Sequence, residues 1–280
     1  MGELVLITGT SSGIGLAAAV ECAAAGHSVV ATMRNLDKRE ALEKAASERG
    51  VRVHVEQLDV TTEGVDAKVK ELLLKYGPFQ VLVNNAGIGI AGAFEEQSDR
   101  DVRDQFETNV FGLIAMTRAV LPSMRAARRG RIVNVSSISG RLAPPMVSIY
   151  AATKHAVEGF SEALRWEVEP FGVGVVLVEP GLIKTPIFFE NMRRGEGMSP
   201  DSEYAAASAA VEKALLRDLD KALDPAVVGK TIARLVAEPS PPFRTPVGTD
   251  ARVLLTLRKV LPEAVFSVAM RQAIRSRSGG

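Results

Sequence analysis

Tyr150 and Lys154 lie four residues apart in a stretch, Ile149–Pro170, whose apolar spacing predicts a helix. Four apart on a helix is one face, so phenol and ammonium can interact. A phenol with a reference pKa near ~10 moves protons poorly at neutral pH, and a neighbouring cation favours its ionised form. Ser137 stands thirteen residues before Tyr150, just past a predicted strand, Arg131–Val135. Open α/β sheets hold ligands at such strand ends. Asn109, inside a predicted helical stretch over 99–127, supplies an amide able to hold water or backbone. Together these groups form a donor and acceptor set for moving a proton. Singly, each reads as ordinary: a surface pair, a turn serine, a solvated asparagine.

A second cluster lies at the start of the chain. Thr8-Gly9-Thr10-Ser11-Ser12-Gly13-Ile14-Gly15 joins a predicted strand, Glu3–Thr8, to a predicted Ala-rich helix, Gly13–Ala25. Glycines there permit a tight turn and close backbone approach to a pyrophosphate. The helix start offers free N–H groups and the positive dipole end to an anion. The spacing is GxxxGxG, not GxGxxG, and the strand before and helix after give it weight. A carboxylate about 20 residues further on would bind the ribose 2′-hydroxyl of NAD. The second predicted strand, Ser28–Met33, leads instead into Arg34. Arg34 suits a 2′-phosphate and Ser12 adds a hydroxyl donor, so NADP(H) is favoured and NAD(H) stays possible.

The elements that must position these groups alternate. Further strands are predicted at Val51–Val55, Phe79–Val83, Val173–Val178 and Phe243–Val247. Helices are predicted at Asp37–Arg49, Val65–Tyr76, over 99–127 as one long helix or two with a kink at Pro122, and from Asp224-Pro225 to Ala237. Strands alternating with helices give a parallel sheet covered on both faces, a single doubly wound α/β domain of Rossmann type with about seven strands. Residues 1–250 are expected to form it, with a loop over 186–204. Residues 251–280 are expected to form a helical extension interrupted near Pro262.

Composition narrows the function classes. In 280 residues, 34 Lys and Arg against 33 Asp and Glu give a net charge of +1, which argues against a dedicated nucleic-acid binder. One cysteine, Cys22, and scattered His27, His54 and His155 offer no disulfide and no metal-ligand spacing. No run approaches the roughly 20 apolar residues of a membrane span, and a cytoplasmic location is expected.

The ordered motifs resemble those of the short-chain dehydrogenase/reductase family, in the subgroup with a TGxxxGxG loop. The match comprises Thr8–Gly15, Asp59-Val60, Asn84-Asn85-Ala86-Gly87, Asn109, Ser137, Tyr150-Ala151-Ala152-Thr153-Lys154 and Pro180-Gly181-Leu182-Ile183-Lys184-Thr185, across residues 3–187. The resemblance implies a catalytic set of Asn109, Ser137, Tyr150 and Lys154. Tyr150 would exchange its proton with the substrate oxygen, and Ser137 would hydrogen-bond that oxygen. Lys154 would bind the nicotinamide ribose and lower the tyrosine pKa, and Asn109 would anchor a relay water. It further implies cofactor contacts from Gly9, Ser11, Ser12, Gly13, Ile14, Gly15 and Arg34, from Asp59 to the adenine with Val60 beside it, and from the stretch Asn84 to Gly87 on the adenosine side, with Asn85, Ala86 and Gly87 in contact. Pro180, Ile183 and Thr185 would hold the carboxamide end.

Val30–Arg34 and the stretch from Pro242 to Gly248 are similar to the 17β-hydroxysteroid and retinol dehydrogenase branch. A small hydrophobic alcohol or carbonyl substrate is the expectation, facing Leu142, Pro144, Val147, Ile187, Phe188, Phe189 and Met192. Residues 186–204 are expected to act as a lid, and the chain to form a homo-oligomer. Two rivals are a non-catalytic NADP(H)-binding sensor and a peripheral membrane protein. The second would use Leu254, Leu255, Leu257, Val260 and Leu261 beside Arg252, Arg258 and Lys259.

Overall fold

The computed structural model describes residues 2–185 and 193–277. Its strands are β1 (Leu4–Thr8), β2 (Ser28–Met33), β3 (His54–Gln57), β4 (Val81–Asn84), β5 (Ile90–Ala91), β6 (Gly130–Val135), β7 (Val173–Pro180), β8 (Arg193–Arg194) and β9 (Arg244–Val247). Seven of them form one sheet in the order β3-β2-β1-β4-β6-β7-β9, every neighbouring pair parallel. The helices are α1 (Gly13–Ala24), α2 (Arg39–Glu48), α3 (Val65–Tyr76), α4 (Asp99–Phe106), α5 (Gly112–Ala126), α6 (Ser148–Val168), α7 (Ala205–Asp218), α8 (Pro225–Ala237), α9 (Thr249–Val260) and α10 (Glu263–Arg277).

Successive side chains of a strand point to opposite faces, so a strand covered on both sides is apolar throughout. Val5, Ile7, Val29 and Ala31 enter one core with Ala18 and Cys22 of α1, Leu42 of α2, and Val228 and Ile232 of α8. Leu6, Val30, Leu82 and Ile132 enter the other with Val69 of α3, Met116 and Val120 of α5, and Leu164 of α6. Each fully buried side chain of this kind stabilises by about 1.5–3 kcal/mol. Arg131 at the start of β6 ties the sheet to α8. Its guanidinium donates to the carbonyls of Leu235 and Val236 in the last turn of that helix and of Pro239 just beyond it. Asp224 caps the start of α8 by accepting from the Ala226 N–H at 2.7 Å, with Pro225 at the first helical position.

From β1 the chain runs outward through β2 and β3, then returns to β4 and runs the other way. The crevice at the carboxyl ends of β1 and β4 is where such sheets bind ligands.

Some boundaries differ from those predicted. The third strand begins at His54, which pairs with Val30, rather than at Val51. Val51 and Val53 pack against the core without joining the ladder. The fourth strand is Val81–Asn84 rather than Phe79–Val83. The long helix over 99–127 is interrupted by a π turn at Glu107–Phe111, while Pro122 lies inside α5. The short ribbon of β5 with β8 was not predicted, since two-residue strands carry no periodicity.

Candidate active site

The loop after β1 is built for backbone approach. Gly9 has φ +71, and a Cβ there would stand 2.7 Å from the Cα of Ala86. A Cβ on Gly15 would run into the Gly9 carbonyl and the Asn85 amide. Asn85 Nδ2 occupies that space, donating to the carbonyls of Thr8 and Gly9, both at 3.0 Å. Thr8 Oγ1 accepts from the Asn85 and Ala86 N–H groups, each at 3.1 Å. The loop after β1 and the segment after β4 are thereby bolted together. Ser12 is the N-cap of α1 in extended conformation, and its side chain makes no capping bond. The first turn of α1 carries no acid. That leaves N–H donors, a hydroxyl and an unopposed dipole for an anion.

At the other end of the crevice sit the hydroxyls. Ser137 Oγ accepts from the Ser139 N–H at 3.1 Å, which leaves its own proton free to donate. Tyr150 is buried, and burial pushes its phenol up to about 12, with a hydrogen bond to Ser137 pulling the other way. Lys154 Nζ donates to the Val135 carbonyl at 2.9 Å and lies 5.7 Å from the centre of the Tyr150 ring. Burial brings that ammonium down to about 8, opposed by the charge of Glu158. The largest influence on the phenol is thus burial, acting upward, against the lowering by Lys154 that the resemblance implies.

Asn109 sits in the π turn, the kind of irregularity often found at functional sites. Its Oδ1 accepts from the Ile88 N–H at 2.8 Å, and its Nδ2 donates to the Ile88 carbonyl at 2.9 Å and to Thr153 Oγ1 at 3.0 Å. Thr153 Oγ1 donates in turn to the Tyr150 carbonyl at 2.7 Å. Asn109 thus joins the π turn to α6 beneath the tyrosine.

An open cleft of about 890 Å³ connects the two ends. It is lined by Gly9 and Ser11 to Gly15, by Arg34, Asp59, Val60 and Asn85–Gly87, by Pro180, Ile183 and Thr185, and by Ser137, Tyr150 and Lys154; Asn84, expected in the same stretch, is instead buried and donates to Thr117 and Asn134. Asn109 lies behind that lining. Two hydroxyls of the wall, Ser136 Oγ and Thr185 Oγ1, are buried without a hydrogen-bond partner. Buried polar groups of that kind call for a ligand or water partner. The glycine cradle, the uncapped helix start and these hydroxyls fit an elongated dinucleotide.

The short chain dehydrogenase family matches residues 3–195. The chain belongs to that family. It is 38% identical over 271 residues to a 3-ketodihydrosphingosine reductase of Bacteroides thetaiotaomicron, covering 96% of this chain and 97% of that one. To retinol dehydrogenase 8 of Bos taurus it is 37% identical over 277 residues, covering 94% and 87%. A crystal structure of a short-chain dehydrogenase from Streptomyces avermitilis superposes with TM-score 0.79 at 36% identity, covering 100% of this chain and 98% of that one. A family structure from Burkholderia phymatum in complex with NAD has TM-score 0.77 at 27% identity, covering 92% and 93%. A metagenomic one with NADP has TM-score 0.68 at 25% identity, covering 88% and 95%.

In this short-chain dehydrogenase the ribose end of the cleft holds more than the sequence revealed. Arg34 is 78% exposed in its side chain, its Nε 4.0 Å from Asp59 Oδ2. Gln57 Nε2 donates to the Arg34 carbonyl at 3.1 Å and fixes the turn after β2. Lys38, at the end of the single 3-10 turn Leu36–Lys38, also lines the cleft, and no spacing rule in the sequence marks it. Asp59 Oδ1 is engaged by the Thr61 N–H and hydroxyl at 3.0 and 2.8 Å, leaving Oδ2 for other partners. Leu142, Pro144 and Val147, expected to face substrate, do not line the cleft, and Leu142 is buried in the protein body. Ile187, Phe188, Phe189 and Met192, and with them the aromatic part of the expected lid, lie outside the described residues. Among the described residues no helix is long and apolar enough to cross a membrane.

Proposed function

We propose that this dehydrogenase interconverts a hydrophobic secondary or primary alcohol and its ketone or aldehyde, using NADP(H) in preference to NAD(H). The observation that carries the reading is one cleft with an anion cradle at one end and three converging groups, Ser137, Tyr150 and Lys154, at the other. A nicotinamide cofactor supplies or accepts hydride at the substrate carbon. This chain's residues handle the oxygen and the proton. A carbonyl that gains hydride develops negative charge on oxygen, and hydroxyl donors held in place stabilise it. Tyr150, kept protonated by burial, donates its proton there, and Ser137 donates a second hydrogen bond. Lys154 uses one of its protons on Val135, leaving others for ribose hydroxyls and for resupply of Tyr150. Since the Asn109 amide is committed to Ile88 and Thr153, a relay water would meet the main chain of its π turn. Thr185 Oγ1 and Ile183 are the groups for the carboxamide.

The NADP(H) preference rests on Arg34 and Lys38 at the ribose end, two cations where an NAD enzyme would hold a carboxylate. The substrate class is supported by two of the relatives, named as a 3-ketodihydrosphingosine reductase and a retinol dehydrogenase. A homo-oligomer and the division between residues 1–250 and 251–280 belong to the same proposal. A panel of long-chain ketones, retinoids and steroids, followed at the nicotinamide absorbance with NADPH and NADH in parallel, tests it. Turnover with NADPH on apolar carbonyls supports the reading. Turnover confined to small polar alcohols, or faster with NADH, overturns it.

A further inference from the structure

Behind the reactive groups, on the side away from the cleft, lies a buried ionic cluster that the chemistry above does not use. Glu158 follows Lys154 by one turn of α6 and is 5% exposed, and Glu179 near the end of β7 is 0% exposed. Arg244 of β9 joins them: its Nε stands 2.9 Å from Glu158 Oε2 and 3.7 Å from Glu179 Oε1. Its other arm donates to the exposed Glu162 at 2.7 Å. Arg141, just past the Ser137 turn, donates to Glu179 Oε1 at 3.1 Å. The charged groups around Glu158 are thus Lys154 and Glu162 on its own helix, Glu179 on β7, Arg244 on β9 and Arg141 on the turn, with Arg165 beyond them beside Glu162.

Two details tie this cluster to the reactive lysine. A Cβ on Gly140 would stand 2.9 Å from Glu158 Cγ and 3.0 Å from the Lys154 carbonyl, so the turn carrying Ser137 rests directly on both residues. Glu158 Oε1 and Glu179 Oε2 are buried with no hydrogen-bond partner. A carboxylate oxygen left unpaired in the interior is costly, and its field is weakly screened. Burial, then the charge of Glu158, push Glu179 upward, while Glu158 Oε2 is held by the Arg244 guanidinium at 2.9 Å.

We propose that Glu158 is a positioning residue for the reaction: its buried carboxylate, one helical turn beyond Lys154, holds that lysine in its charged form, and Arg244 sets how much of the carboxylate's field reaches it. The idea rests on the role given to Lys154 above. β9, far along the chain, would in this way govern proton supply to Tyr150.

Glu158→Gln tests it, because glutamine keeps the shape and an acceptor for Arg244 while removing the charge. The Lys154 transition is read twice, from NADPH fluorescence titrations between about pH 6 and about pH 10 and from the pH profile of kcat/KM. In the NADPH titration it is identified as the transition that Lys154→Met abolishes. In Glu158→Gln it should move down by about one pH unit. Glu158→Asp, which keeps the charge, should restore it towards the wild-type position. Arg244→Gln should move it the opposite way, upward, because less of the Glu158 field is neutralised. An unmoved transition in Glu158→Gln, or a kcat/KM lowered equally at every pH, overturns the proposal. If Glu158→Gln fails to fold, the absence of an upward shift in Arg244→Gln overturns it. The two readings fail separately. Retained turnover in Tyr150→Phe removes the role given to the Tyr150–Lys154 pair, whereas the NADPH-binding transition still reports whether Glu158 governs the lysine.

Discussion

Replacing Thr8 by valine keeps the branched shape of a buried side chain and removes one hydroxyl. That hydroxyl accepts from the N–H groups of Asn85 and Ala86, each at 3.1 Å, and donates to the Val83 carbonyl at 3.4 Å. The last bond is long and contributes little. An internal hydrogen bond is worth about 0.5–1.5 kcal/mol net, and a buried donor left unpaired costs about 1–3 kcal/mol. Asn85 and Ala86 are only half-buried, so water meets part of the demand. Two donors at about 1–1.5 kcal/mol each give a loss of about 2–3 kcal/mol. Urea unfolding should show it as a lower midpoint at unchanged slope. Because the freed segment lines the cleft, NADPH affinity should fall as well, by about threefold to tenfold. A stability change under about 0.5 kcal/mol with unaltered NADPH affinity would show that Thr8 does not bolt the two segments together.

Tyr150→Phe should abolish turnover while leaving the NADPH dissociation constant within about twofold, since only the proton-exchanging hydroxyl is lost. Activity and fluorescence titration on one preparation check both halves. Arg34→Ala with Lys38→Ala should weaken NADPH by about tenfold or more and NADH little, and equal losses would remove both cations from phosphate recognition. Lys154→Met should end activity yet stabilise the fold below about pH 8. Burial brings this ammonium from 10.5 to about 8, so between those values the unfolded chain binds more protons and wild-type stability rises with pH. The gain from methionine, about 1–3 kcal/mol after loss of the Val135 bond, should fade by pH 10.5. Tyr150, raised from 10.0 to about 12, acts with the opposite sign in that higher window, as thermal melts across pH should show.

The parallel sheet was legible because β1, β2, β6 and β7 are apolar on both faces and are followed by well-marked helices. The ends of β3 were not, because Val51 and Val53 look like strand residues whether or not they join a ladder. Tyr150, Lys154 and the glycine loop could be placed from spacing, since local geometry alone brings each set together. The direction of the tyrosine shift could not, because desolvation depends on everything packed around the ring. Glu158 and Glu162 look alike on paper, two acids four apart on a helix. Only the arrival of β9 and β7 separates a buried charge from a solvated one. That the stretch over 99–127 divides was allowed for, but its place at Asn109 rather than at the proline was not legible, since the Asn109 side chain is held by Ile88 and Thr153, distant in sequence.

Strand β9 closes one side of the sheet and bears on how the chain avoids its own kind. The Phe243 carbonyl accepts from Leu177 and the Val247 carbonyl accepts from Gly181, so odd-numbered residues bond inward. The outward positions are then Arg244 and Pro246. Pro246 has no N–H to offer an incoming strand, and Arg244 places a charged side chain, anchored to α6, beside it. An unpaired strand edge is a template for clumping while a slow parallel sheet assembles. Proline at this position disarms the template without disturbing the inward ladder. Pro246→Thr should leave the folded protein's stability nearly unchanged yet increase turbidity during refolding at high concentration. Equal turbidity for both forms would mean that the edge is guarded by something else.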